Sequence, residues 1–200
     1  IDLRSLFGPI CEEFYIPIAN ARGWSDLNLR WGLLQRLQQH AAEGRRCVIL
    51  YAGDHDPAGL NISQSLRKNL ADLLTHAEWL RLMDRLEVDR FGLNADFIAE
   101  QSLTWIDNLE TGSGGNLASP SHKDHKCDYV QRYLREFGPR KVEANALVVR
   151  PEAGRALCRQ AILRYLPEDA PARYRESLRP YRRQARAEIL RRVAQIGGAA

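Results

Sequence analysis

Two aspartates two residues apart, Asp54 and Asp56, lie in the stretch 51-YAGDHDPAGLN-61, directly after the apolar run 46-RCVIL-50. Along an extended chain, side chains alternate faces, so the two carboxylates point one way and His55 between them points the other. Held that close, two carboxylates repel unless a cation sits between them. A hard divalent ion, Mg²⁺ or Mn²⁺, held by these acids and completed by phosphate oxygens, is the chemistry that suits the spacing. The turn Pro57-Ala58-Gly59 leads into a helix whose free N-terminal N–H groups suit an anion, with Gly59 and Asn61 as the phosphate contacts. A competing reading has Asp54 as a simple helix cap, since aspartate is a good N-cap. One cap does not call for two aspartates with a glycine on each side. His55, facing away from the pair, is read as structural rather than catalytic.

These residues need a strand to carry them. Residues 46–52 are short, continuous and rich in Val, Ile and Leu, as expected of a strand buried in a parallel sheet. A long amphipathic helix is expected over 60–83, with a break near Thr75, followed by a second strand at 86–94. Upstream, residues 2–13 carry apolar positions at helical spacing, interrupted at Gly8-Pro9, where a kink or break is expected. Residues 14–21, FYIPIANA, read as a short edge strand. A helix spans 27–42, stopped by Gly44. Downstream come a short helix within 95–109, a Gly/Ser/Pro-rich loop at 111–124, and a helix at 127–137 closed by Gly138-Pro139. Residues 141–149 read as a strand or a passage into helix. From Glu152 the chain reads as two helices separated by 167-PEDAPA-172. Strands alternating with helices imply an α/β fold with a mostly parallel sheet flanked by helices. Residues 1–150 form that α/β domain, and residues 151–200 a basic helical appendage.

The composition sets limits. The chain has 200 residues, 44% hydrophobic and 27% charged, enough for one good core. Mean hydropathy is −0.42, and no apolar run approaches the roughly 20 residues that span a bilayer. Four cysteines, Cys11, Cys47, Cys127 and Cys158, are scattered without a CxxC pair, a pattern that suits a reducing cytoplasm. Net charge is +4 and the pI is near 9.0. The excess concentrates in 173-RYRESLRPYRRQARAEILRR-192, where Arg182, Arg183 and Arg186 are candidates for phosphate contact; a solvated terminal helix is the rival reading. The loop 122-HKDHKC-127 invites a zinc reading, but its spacing matches no common zinc site.

GDHDPAG at a strand end, in this α/β order, with the upstream turn 22-RGWS-25, resembles the Toprim domain. That family includes topoisomerases, primases and nucleases, and the D-P-x-G extension is most similar to the topoisomerase VI A-subunit branch. The resemblance covers about residues 1–110. It implies a Toprim-like (Rossmann-like) fold and Mg²⁺-dependent cleavage of DNA phosphodiesters, with Asp54 and Asp56 as the metal-binding pair. It also implies DNA as partner, an ATPase or a second copy of the chain as assembly partner, and no organic cofactor or membrane. Arg22 borders the same end of the sheet and is a phosphate candidate or a plain surface arginine. Lys68, two helical turns past the DPAG cap, is a further candidate. Glu143, in 142-VEANAL-147, is either a third catalytic acid or a salt-bridged structural one. The tyrosine nucleophile of a topoisomerase belongs to a separate domain in that family, so a nuclease is favoured. A non-catalytic DNA-binding or assembly module that keeps the fold is the alternative.

The family also uses a glutamate after its first strand, and residues 1–13 read as the helix that follows it. The resemblance thus implies that this strand and its glutamate precede Ile1, and that residues 1–200 cleave DNA poorly alone. Glu12 and Glu13 lie at the far end of that helix, about 15 Å from the expected site at 1.5 Å per residue. Plasmid cleavage with Mg²⁺ or Mn²⁺ should be weak for this chain and stronger for one extended upstream. Robust cleavage by residues 1–200, abolished by Asp54→Ala, would show that the acids present suffice.

Overall fold

A computed structural model describes residues 3–19, 27–111 and 114–197. The fold is mixed α/β. Strand β1 (Cys47–Tyr51) pairs in parallel with β2 (Leu86–Arg90), in a register that sets Cys47 beside Leu86 and Tyr51 beside Arg90. Helices flank this two-stranded sheet. Helix α1 spans Leu3–Glu13 and α2 spans Leu27–Ala42. Between the strands run α3 (Pro57–Leu60), α4 (Ile62–Ala71) and α5 (His76–Met83). After β2 come α6 (Ala95–Glu100), α7 (Asp128–Phe137), a 3-10 helix at Ala144–Val149, α8 (Pro151–Leu163), α9 (Ala170–Ser177) and α10 (Arg179–Gly197).

The break expected near Thr75 is present and has a local cause. Thr75 caps α5 in a reciprocal box: its hydroxyl accepts from the Glu78 amide at 3.4 Å, and the Glu78 carboxylate accepts from the Thr75 amide at 2.9 Å. Helix α1, by contrast, runs unbroken through Pro9. Its buried face, Leu6, Phe7, Ile10 and Cys11, packs into the core, and that packing outweighs the one backbone bond that proline removes.

The edge strand expected at 14–21 does not form over its described part, 14–19. Helix α1 instead closes in a Schellman motif. Ile16 N–H donates to Cys11 O at 2.8 Å and Tyr15 N–H to Glu12 O at 3.1 Å, with Tyr15 left-handed at φ 58°. Phe14, Ile16 and Ile18, which suggested a strand, pack as apolar bulk beside α1, while Tyr15 is exposed. A strand over 141–149 is also not formed. Lys141 and Val142 make single antiparallel bridges, and the chain then turns into the 3-10 helix. The expected sheet of several strands thus reduces to two among the described residues. Near the C-terminus, the helix read as continuous over 173–192 is interrupted at Leu178, where Pro180 sits in the first turn of α10 and cannot continue α9.

Two apolar clusters hold the sheet by its two ends. At the start of the strands, Cys47 and Leu86 are buried with Leu34 and Leu37 of α2, Leu70 of α4 and Leu82 of α5. Past their carboxyl ends, Phe91, Leu93 and Val142 join Leu6, Phe7 and Ile10 of α1, Leu147 of the 3-10 helix, and Cys158, Ala161 and Ile162 of α8. Helix α8 is therefore part of the main core, whereas α10 is exposed along almost its whole length. Among the described residues no helix is long and apolar enough to cross a membrane.

Candidate metal and nucleic-acid site

β1 ends at Tyr51, and the chain reaches Asp56 through Ala52 and Gly53. Asp56 is the N-cap of α3, with extended backbone, and its Oδ1 accepts from the Gly59 N–H at 2.5 Å. The residue between the acids anchors the loop. His55 N–H donates to Val142 O at 2.8 Å, and Val142 N–H donates back to His55 O at 3.1 Å. The His55 ring is 1% exposed and stands edge-on to Trp105 and Phe137, near Tyr133. Its Nδ1 lies 2.7 Å from Leu93 O, and the Tyr133 hydroxyl donates to His55 O at 2.8 Å. Burial pushes the His55 imidazole below its ordinary value, so it stays neutral, with Nδ1–H donating to Leu93. This is the structural histidine that alternation anticipated.

The antiparallel bridge between His55 and Val142 also fixes what lies across from the aspartates. Pairing runs in opposite directions, so Asp54 faces Glu143 and Asp56 faces Lys141. His55 and Val142 turn into the core while these four flanking residues are exposed or half-buried. Asp54 Oδ1 accepts from the Ala144 N–H at 2.6 Å. Lys141 Nζ stands 3.1 Å from Glu143 Oε1, and Asn145 Nδ2 donates to Glu143 Oε2 at 3.2 Å. Burial, with a further push from the Asp54 charge, raises the Asp56 carboxyl above the ordinary range; the Gly59 N–H, Lys141 and Arg90 pull the other way.

Arg90, the last residue of β2, is the second clamp. The register places it beside Tyr51. Its guanidinium donates to Asp54 O at 3.0 Å, Gly59 O at 3.0 Å and Leu93 O at 3.2 Å, and also to Asn94 Oδ1. One planar fork thus ties the start of α3 to the loop after β2. Gly59 is held so near Asp54 O that a β-carbon would collide with that backbone oxygen. Its N–H donates to Asp56 and so is not left for a phosphate, while its carbonyl accepts from Arg90. Asn61 caps α3 through its backbone and lines a shallow cleft with Tyr129, Arg132 and Tyr133.

The expected residues thus divide. Asp54, Asp56 and Glu143 flank the His55–Val142 bridge. Lys68 is exposed on α4, on the side away from the buried Leu66 and Leu70. Arg22 lies outside the described residues. Arg182, Arg183 and Arg186 are exposed on α10 and make no ion pair among the described residues, whereas Arg179, Arg191 and Arg192 pair with Glu176 or Glu188. In the 122–127 loop, His122 Nδ1 accepts from the Asp124 N–H and His125 Nδ1 meets Leu117 O. Arg90 and Lys141 were not foreseen. Lys141 had one signal, the polar–apolar–polar alternation of Lys141-Val142-Glu143, which mirrors Asp54-His55-Asp56.

The donors facing outward are hard carboxylate oxygens, the type Mg²⁺ and Mn²⁺ take, and among the described residues Asp54 and Asp56 each keep one oxygen free of intramolecular bonds. No group of three or more His, Cys, Asp or Glu gathers in metal-ligating geometry among the described residues. Comparison with family models, curated proteins and solved structures finds no match to this chain.

Asp56→Asn should be neutral or stabilising without metal. Asparagine caps a helix as well as aspartate does, and the change removes repulsion from Asp54. With its carboxyl raised, folded Asp56 binds more protons than unfolded Asp56, so wild-type stability falls as pH rises through that raised value. Urea denaturation from about pH 4 to 7 in EDTA should show wild type losing ground to the variant. A variant less stable by more than about 2 kcal/mol throughout would make Asp56 a structural acid.

Proposed function

We propose that this chain is a Toprim-type, Mg²⁺-dependent DNA phosphodiesterase whose metal is held by Asp54 and Asp56. The observation that carries this reading is the His55–Val142 bridge, which sets two aspartates across from Glu143 and Lys141 just past the carboxyl end of a parallel strand. In open α/β sheets that is where ligands bind. A divalent ion bound there supplies polarisation of the scissile phosphate and an activated water. The chain's own residues do the rest. Ala144 and Gly59 N–H groups hold one oxygen of each aspartate, which aims the other outward. Arg90 keeps the two loops in place, and the buried, neutral His55 adds no charge beneath the acids. Arg182, Arg183 and Arg186, without an ion pair among the described residues, offer three guanidiniums on one stretch of α10 for the DNA backbone.

One observation favours a second reading, a DNA-binding or assembly module without catalysis. Each aspartate already spends an oxygen on the fold, and the third acid, Glu143, has both oxygens engaged. The arginines of α10 would then be the working surface.

Two measurements separate these readings. Calorimetric titration with Mn²⁺ should show a site that Asp54→Ala abolishes, and the weak plasmid nicking expected of this chain should disappear with it; equal ion affinity in both proteins sinks the metal assignment. Affinity for a random duplex should fall steeply with salt. Deleting residues 173–200 should lower the slope of log K against log salt by about 3, near 0.9 for each of three phosphate contacts. Duplex binding that ignores EDTA and Asp54→Ala but collapses on that deletion supports the binding module.

A further inference from the structure

We propose that the Lys141 ammonium is a resident cation of the acidic face, and that it limits this face to one divalent ion. The inference rests on the metal-site reading above. It starts from an unusual burial. The Lys141 side chain is only 15% exposed. Lysine is seldom so enclosed unless its charge is paired. Here Nζ lies 3.1 Å from Glu143 Oε1 and donates to Glu110 O at 3.2 Å. A lysine that grips an incoming phosphate keeps a free, extended stem in water. This one is tied down at its tip, within electrostatic reach of Asp56 directly across the bridge.

Counting charge and oxygens leads to the same place. Asp54, Asp56 and Glu143 carry three negative charges when ionised; Lys141 beside Glu143, and Arg90 within electrostatic reach of both aspartates, offset part of them, which leaves charge for no more than one Mg²⁺ or Mn²⁺. Glu143 offers nothing further, since Oε1 is held by Lys141 and Oε2 by Asn145. Asp54 and Asp56 each keep one oxygen. Two carboxylate oxygens, with water and phosphate, make one hexacoordinate site for such an ion. A second ion would need Glu143 and would sit beside the ammonium, where like charges at a few ångströms repel strongly. Removing the ammonium both frees Glu143 and lifts that repulsion.

The test compares the 200-residue chain with Lys141→Met and Lys141→Arg. Calorimetry with Mn²⁺ should give one ion on wild type and on Lys141→Arg. Lys141→Met should take a second ion or bind the first at least about tenfold more tightly. Two ions on wild type, or unchanged count and affinity in Lys141→Met, overturn the proposal. Thermal melting in EDTA reads the ammonium apart from any metal. Lys141→Met should melt below wild type near pH 7, and the gap should narrow at acidic pH. A gap that ignores pH marks lost packing alone and overturns the proposal even if Mn²⁺ binds. No ion on any of the three proteins, with the pH-dependent gap present, removes the metal reading and supports the ammonium as the site's own cation.

Discussion

Two backbone hydrogen bonds, His55 N–H to Val142 O and Val142 N–H to His55 O, join the only two chain segments that carry the acidic face. Each is worth about 1 kcal/mol net, but breaking either would strand buried polar groups at a cost of about 1–3 kcal/mol. The surroundings make that cost unavoidable. The His55 ring sits among Trp105, Tyr133 and Phe137, and Arg140 stacks over Trp105 at 4.2 Å, so little water can enter to repair a broken bond. The His55 Nε2 is already without a hydrogen-bond partner among the described residues. The bridge therefore behaves as a unit: Asp54 and Asp56 are displayed, and Glu143 and Lys141 face them, only while it is closed.

Around that bridge the charges are arranged so that cations support the acids from inside the fold. Arg90 donates to carbonyl oxygens rather than to the carboxylates, and acts on Asp54 and Asp56 through its charge alone. Burial lowers the Arg90 value from its ordinary one, yet a guanidinium so far above neutrality stays charged. Gly59 completes the arrangement, because only a residue without a β-carbon lets the first turn of α3 approach the Asp54 backbone. The basic surface is kept elsewhere, on α10, where Tyr181, Ile189, Val193 and Ile196 are also 60–77% exposed.

Legibility in the sequence followed the range of the interactions. β1 and β2, the break at Thr75 and the stop at Gly138 are written in local residues, and all four are found. Asp54 and Asp56 were legible for the same reason: their spacing and the strand before them lie within ten residues. Residues 14–19 misled because Phe14, Tyr15 and Ile16 have strand-like types, while the deciding event was a helix closure using a left-handed tyrosine where glycine is usual. The segment 141–149 misled because a single bridge, not a ladder, holds its start. Arg90 and Lys141 could not be chosen from among 29 basic residues without knowing which strands pair and which loop crosses which. The pairing of Glu143 with Lys141 was one of two readings open from the sequence, and its geometry is non-local.

The bond from Ala144 to Asp54 spans 90 residues of chain. Contacts of such separation form late, because the chain must give up loop entropy before the contact returns anything. The cluster that binds β1, β2, α2, α4 and α5 draws only on residues 34–86, so it can order first. The acidic face then assembles when α7 and the segment after it close over His55. The acidic face is thereby a readout of completed folding: a chain stalled with its sheet formed and its C-terminal half unsettled displays two aspartates on a loose loop, with neither Glu143 nor Lys141 across from them.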